Sequence, residues 1–317
     1  MVSAPPLLVI VGPTGVGKTA VAVRLAGAIA IEAVNADSRQ VYRGMDIGTG
    51  KPTPEEQRSL RHHLIDVVDP DEPYHAARFR ADALEAIRQT GARGALPVLV
   101  GGTGLYVRAL LKGLHHAPPA DSALRRELEA YARAHGVPAL HARLASLDAG
   151  AAQALHPNDR VRIVRAIEIR MRGTPVGPED GGAADWSRTI VGWRLVMVGL
   201  SRDRPALNQA LADRARAMMS RGMIEEVRRL LADGHDVTLP SMGGIGYRQF
   251  AAVVKGTMTT EAALALMIRD TCRYAKRQMT WFAREPEIHW IDVDRAGGIE
   301  GTAEVILKRV AQEGLIG

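Results

Sequence analysis

The stretch VIVGPTGVGKTAVAV, residues 9–23, limits the possible folds more than any other part of the chain. Residues 7–11 are an apolar, largely β-branched run that reads as a buried strand, and residues 20–26 resume at helical spacing. Between them Gly12, Pro13, Thr14, Gly15, Val16, Gly17, Lys18 and Thr19 fit G-x-x-x-x-G-K-[ST] in the strand, loop and helix setting that the pattern requires. Glycines let successive N–H groups turn into one cavity, and the helix N-terminus adds positive charge, so this loop binds a polyphosphate largely through main chain. Lys18 would reach the outer phosphates, and Thr19 would place its hydroxyl on Mg²⁺.

Further apolar runs at 31–35, 96–100 and 195–200 alternate with helical stretches. The alternation predicts an α/β fold, a P-loop parallel sheet flanked by helices. From residue 113 to 186 the strand signal vanishes and charged helical patterns at 122–135 and 159–172 take over, closing on the loose GTPVGPEDGGAADWS. We expect an inserted all-helical domain there, with residues 1–112 and 187–317 forming the core. Long helices are predicted over 204–231 and 261–284.

The chain has 317 residues, and apolar residues make up 46% of it, enough for a proper core. Its one cysteine, Cys272, rules out an intrachain disulfide and a cysteine-based zinc site. The sequence enters its first strand within six residues and has no apolar run near the ~18 residues of a membrane span, so no signal peptide, no membrane association and a cytoplasmic setting are expected. The net charge of +6 suits a nucleic-acid partner, depending on where the charge lies.

It lies on two helices. In HPNDRVRIVRAIEIRMR, Ile163, Ala166, Ile167 and Met171 form an apolar stripe opposite Arg162, Arg165 and Arg172. Within 261–284, Ile268, Cys272, Ala275, Met279 and Phe282 form the buried stripe, which leaves Arg269, Arg273, Lys276 and Arg277 on another side. Two basic faces in separate modules, beside a phosphate pocket, fit a polyanionic substrate gripped by both. Tyr247 in GGIGYRQF could add a stacking surface.

Two loops carry further chemistry. ADSRQVYRGMDIGTGKP leaves the second strand and presents Asp37 and Ser38, where a carboxylate could orient Mg²⁺, take a proton from a nucleophile or simply cap a helix. LVGGTGLY ends a strand in Gly101, Gly102, Thr103 and Gly104, permitting close approach of a ligand with a hydroxyl beside it. HLIDVVDP offers Asp66 and Asp69 as a weak match to the strand-end aspartate of P-loop kinases, and its His62–His63 pair reads as solvated or capping. At this point a transferase, a kinase of a nucleotide or small alcohol, and a nucleotide-sensing RNA-binding module all stay open.

Together GPTGVGKT, ADSRQVYRGMDIGTGKP, HHLIDVVDP, LVGGTGLY, HPNDRVRIVRAIE, GYRQ and AKRQMTWF resemble the tRNA dimethylallyltransferases, almost end to end. The resemblance implies transfer of a dimethylallyl group from dimethylallyl diphosphate to N6 of the tRNA adenosine adjacent to the anticodon (position 37). It implies that the P-loop, Mg²⁺ and Arg214 hold the diphosphate, that Asp37 is the base, and that Thr103 lies against the target nucleotide. It implies contacts to the tRNA anticodon stem-loop from Asp37, Ser38, Arg39, Gln40, Thr103, Arg125, Val161, Arg162, Ile163, Val164, Arg165, Gly243, Gly246, Tyr247, Arg248, Lys276, Arg277 and Gln278. The adenosine must leave its stack to react, and a monomer is expected. The chain departs from the family pattern at Ala210 and Cys272, where arginine is usual, and at Ala283, inserted into TWFAR.

Overall fold

Apolar runs of five or six residues alternating with amphipathic helices satisfy their backbone by pairing side by side, and the helices then bury both faces of the sheet. The computed structural model describes residues 4–114, 121–172 and 192–316. Its strands are β1 (Pro6–Val11), β2 (Ile31–Asn35), β3 (His62–His63), β4 (Leu96–Gly101), β5 (Arg194–Ser201) and β6 (His289–Asp292). They form one sheet in the order β3-β2-β4-β1-β5-β6, with every pairing parallel. β1 is central, and Leu7 to Val11 have no exposed surface. Two short strands give little hydrophobic signal in the sequence: β3 is two histidines, and of the four residues of β6 Ile291 alone is buried.

Helices α1 (Lys18–Ala26), α2 (Pro54–Ser59), α3 (Ala76–Ala92) and α4 (Gly104–Lys112) follow the first strands. Leu8 and Ile10 of β1 share a cluster with Val21 and Leu25 of α1 and with Ile306 and Val310 of the C-terminal helix Gly298–Gln312. Burial of each such side chain contributes about 1.5–3 kcal/mol. Phe79 of α3 stacks on Tyr106 of α4 with ring centroids 4.3 Å apart.

Two compact units separate within the chain: Met1–Lys112 with Ile190–Gly317, and Gly113–Thr189. In the second, α5 (Ser122–His135), α6 (Val137–Leu147), α7 (Ala149–Ala154) and α8 (Arg160–Met171) close over Leu128, Leu140, Leu144, Ile163, Ala166 and Ile167. Asp121 starts α5 by accepting the N–H groups of Ala123 and Leu124, both at 3.0 Å. Met171, expected in the apolar stripe, is half exposed because it is the last helical residue. The loose stretch from 173 to 187 lies outside the described residues.

The predicted helix over 204–231 is two helices, α9 (Arg204–Ser220) and α10 (Met223–Ala232). Gly222 between them has φ 95°, a left-handed value that glycine alone adopts without strain. α11 (Tyr247–Val254), α12 (Thr260–Phe282) and α13 (Gly298–Gln312) complete the first unit.

Candidate active site

Gly12 leaves β1 at φ 142°, and a Cβ there would lie 2.5 Å from the Leu200 carbonyl oxygen of β5, so the loop runs tight against the sheet. Gly17, at φ 105°, turns the chain into α1 and leaves the helix N-terminus facing the loop. Lys18 Nζ donates to the carbonyls of Gly12 and Pro13 at 2.9 and 2.8 Å. Burial pulls the Lys18 amine down to about 8; the negative charge of Asp37 opposes the shift and Arg214 adds to it.

Because β1 lies beside β4, the loops leaving these strands meet. Gln278 of α12 joins them: its Oε1 accepts the Thr14 N–H at 2.9 Å and its Nε2 donates to the Gly102 carbonyl at 2.8 Å. A Cβ on Gly102 would collide with that amide. Thr103 Oγ1 accepts the Ser38 N–H at 3.0 Å, which ties the LVGGTG loop to the loop carrying Asp37. Asp37 Oδ1 accepts the Arg39 N–H at 2.8 Å, the turn typical of aspartate at a loop start.

Arg214 of α9 points Nη1 at Thr14 Oγ1 and Nη2 at the Gly50 carbonyl, each at 3.4 Å. Burial pulls its pKa down, while the negative charge of Asp37 acts against that shift. Gln40 Nε2 donates to the carbonyls of Thr49 and Gly50 at 3.3 and 3.1 Å.

Two cavities result. The smaller, about 350 Å³, is lined by Thr14, Lys18, Thr19, Asp37, Gly50, Arg214 and their neighbours. The larger, about 680 Å³, has an apolar wall of Leu211, Ala215, Met218 and Met267 and a polar rim that includes Arg248, Arg269, Arg273 and Arg277. Thr14, Asp37, Thr49 and Arg214 line both. Tyr274 also faces the larger cavity; burial, then the charge of Asp37, pushes its hydroxyl up to about 12.

The P-loop residues, Asp37, Ser38, Thr103 and Arg214 are thus brought together. Arg269, Arg273, Lys276 and Arg277 are exposed along α12, and Gly243 and Arg248 are exposed nearby in the chain. Arg39 spends its guanidinium on the carbonyls of Pro240 and Ser241, at 2.6 and 3.4 Å. In the helical unit, Val161 and Arg162 face outward. Arg125 and Arg165 both reach Glu168, at 2.8 and 2.5 Å, because that carboxylate is fully buried and needs charged partners.

Several sequence assignments need correction. Ile163 and Val164 lie in the core of the helical unit and cannot contact a nucleic acid directly. Gly246 is buried with its N–H given to Gln249 Oε1 at 2.8 Å. Tyr247 is buried, so its ring is no stacking platform, and buried Gln278 braces two loops from inside. Asp66 does not face the phosphate loop: it pairs with buried Lys51, which also holds Asp46 at 2.7 Å, and Asp69 accepts from Arg43 at 2.8 Å. His63 is neither solvated nor a cap, since it bonds the buried Glu32 carboxylate at 2.7 Å.

The sequence reading missed Glu226. Its carboxylate accepts the N–H groups of Asp46, Ile47 and Gly48, which shapes the loop that ends in the Thr49–Gly50 wall. The available signal was its place with Met223, Val227 and Leu230 on the apolar face of α10.

Residues 40–285 match the family model for IPP transferase. The tRNA dimethylallyltransferase of Desulforudis audaxviator is 43% identical over 98% of this chain and 99% of its own length. That of Geobacter sulfurreducens is 47% identical over 90% of this chain and 91% of its own. Among solved structures, the tRNA isopentenylpyrophosphate transferase of Bacillus halodurans matches with a TM-score of 0.69 at 39% identity, covering 97% of both chains. With a matched model across most of its length and relatives this similar end to end, the chain belongs to the IPP transferase family, that of the tRNA dimethylallyltransferases.

Proposed function

We propose that the protein transfers the dimethylallyl group of dimethylallyl diphosphate to N6 of the adenosine adjacent to the anticodon of tRNA, with Asp37 as the base. One observation carries this reading: Asp37 stands where the phosphate cradle and the larger, partly apolar cavity share a wall. A diphosphate in the first and a base entering the second would bring C1 of the donor and N6 of adenine together beside that carboxylate.

The P-loop N–H groups, Lys18 and Arg214 hold the diphosphate and oppose the charge that grows on it. The C1–O bond breaks with its electron pair leaving on the diphosphate oxygen, the N6–C1 bond forms, and Asp37 accepts the N6 proton. The apolar wall of Leu211, Ala215, Met218 and Met267 excludes water from the allylic carbon. Ser38 and Thr103, hydrogen-bonded to one another, keep the carboxylate loop in register.

Mg²⁺ prefers hard oxygen ligands and keeps several waters, and the Thr19 hydroxyl that lines the phosphate cavity fits it, with the diphosphate oxygens of the donor as further hard ligands. Thr19 would hold the ion, which would supply charge neutralisation of the diphosphate. The exposed arginines and lysine of α12, with Arg248, give the tRNA phosphates a positive surface. A monomer acting in the cytoplasm, where tRNA is modified, completes the reading; among the described residues no helix is long and apolar enough to cross a membrane.

The kinase alternative is not favoured, since the relatives are transferases by name and Asp66 is committed to Lys51. Mass spectrometry of nucleosides from an unmodified anticodon stem-loop, incubated with the protein, dimethylallyl diphosphate and Mg²⁺, tests the proposal. Dimethylallyl-adenosine is the expected product. Unchanged adenosine would overturn the reading.

A further inference from the structure

Four cations line the smaller cavity: Lys18, Lys51, Arg214 and Arg221. Three of them have partners in the protein. Lys18 is held by the Gly12 and Pro13 carbonyls, Lys51 by Asp46, Asp66 and the Tyr42 carbonyl, and Arg214 by Thr14 and Gly50. Arg221 is different. It is exposed, it ends α9 two helical turns beyond Arg214, and its side chain makes no hydrogen bond or ion pair with the described residues. Its charge nonetheless reaches into the site, adding to the burial that holds the Arg214 pKa down.

On the other side of Arg214 the same helix brings no further cation to the cavity. Ala210 stands one turn before Arg214 on α9, where residues four apart share a face, and contributes only a methyl to the same cavity. Glu56, also in the lining, has its carboxylate committed to the Thr53 N–H at 2.7 Å in a capping box and so does not neutralise Arg221 by a direct bond. An arginine left without a protein partner at the edge of a phosphate cavity has five donors directed at whatever anion enters.

We propose that Arg221 is a second guanidinium for the diphosphate of the prenyl donor, engaging it from the C-terminal end of α9, on the far side of Arg214 from Ala210. The proposal rests on the transferase reading. The competing assignment is a cation that merely complements the C-terminal end of α9 through the helix dipole, which would change stability and leave donor binding alone.

Steady-state kinetics and calorimetric titration of inorganic diphosphate, both with the full chain and Mg²⁺, separate the two. R221A is expected to raise the KM for dimethylallyl diphosphate and the Kd for diphosphate by about fivefold to tenfold, with the KM for the anticodon stem-loop within about twofold of wild type. R221K, which keeps the charge but lacks the fork, is expected to recover part of the loss. If R221A binds diphosphate as tightly as wild type, or loses donor and stem-loop affinity equally while its Tm falls, Arg221 is a structural cation and the proposal is wrong. Wild-type protein that binds diphosphate but prenylates no stem-loop would instead overturn the transferase reading.

Discussion

The Tyr247 hydroxyl donates to Glu226 Oε1 at 2.7 Å, and the same buried carboxylate accepts the backbone N–H groups of Asp46, Ile47 and Gly48 at 3.0, 2.8 and 3.1 Å. Two helices from the C-terminal half thereby set the conformation of a loop near residue 50. That loop contributes Thr49 to the wall shared by both cavities. Burial and the Glu226 charge keep the Tyr247 hydroxyl protonated, well above its ordinary pKa, so it serves as a donor at any physiological pH.

Removing that hydroxyl leaves the carboxylate with three backbone donors. Tyr247→Phe should cost about 1 kcal/mol of stability by urea denaturation. Glu226→Ala should cost more, roughly 3 kcal/mol, because three buried N–H groups lose their acceptor. It should also raise the donor KM through the displaced Thr49–Gly50 wall. Equal effects from the two substitutions would mean that the loop is held by something else.

Among the described residues, Asp37 is the only carboxylate that lines both cavities. Asp37→Ala should lower kcat by about 10²–10⁴, the range that general-base catalysis supplies, and should leave stem-loop affinity close to wild type. Single-turnover rates with bound stem-loop measure the first, and electrophoretic mobility shift the second. Near-normal turnover would exclude Asp37 as the base.

The Lys18 ammonium, lowered by burial to about 8, is protonated below that pH and neutral above it. A neutral amine cannot attract the diphosphate, so kcat/KM for the donor should fall as pH rises through about 8. The bound diphosphate favours the charged amine, so kcat should hold to higher pH. In Lys18→Arg the guanidinium does not titrate in this range, and the alkaline limb should move away.

A second buried carboxylate, Glu32 of β2, is held at about 2, mainly by Arg93 with His63 and Thr90 assisting. Its folded pKa is below the ordinary 4.5, so the stabilisation is complete above that pH and is lost as pH falls through about 2. Glu32→Gln should therefore destabilise the protein by roughly 1–3 kcal/mol at neutral pH, and the gap to wild type should close in acid. Urea melts at several pH values between neutral and 2 would show a pH-independent gap if the ionised form of Glu32 contributed nothing.

The loop GPTGVGKT, the runs that became β1, β2, β4 and β5, the Asp37–Ser38 and Gly102–Thr103 turns and the basic side of α12 were all legible in the chain. Each depends on residues within one strand, turn or helix, where side-chain period and glycine placement act locally. Tertiary structure decided how these pieces are held. Gln278 meets Thr14 across 264 positions, Glu226 meets Ile47 across 179, and Arg214 meets Thr14 across 200. A glutamine on a basic helix and a glutamate on an amphipathic one carry the same local signal whether they face solvent or a buried backbone. Only the packing of α10 and α12 against loops from the N-terminal half shows which partner satisfies them.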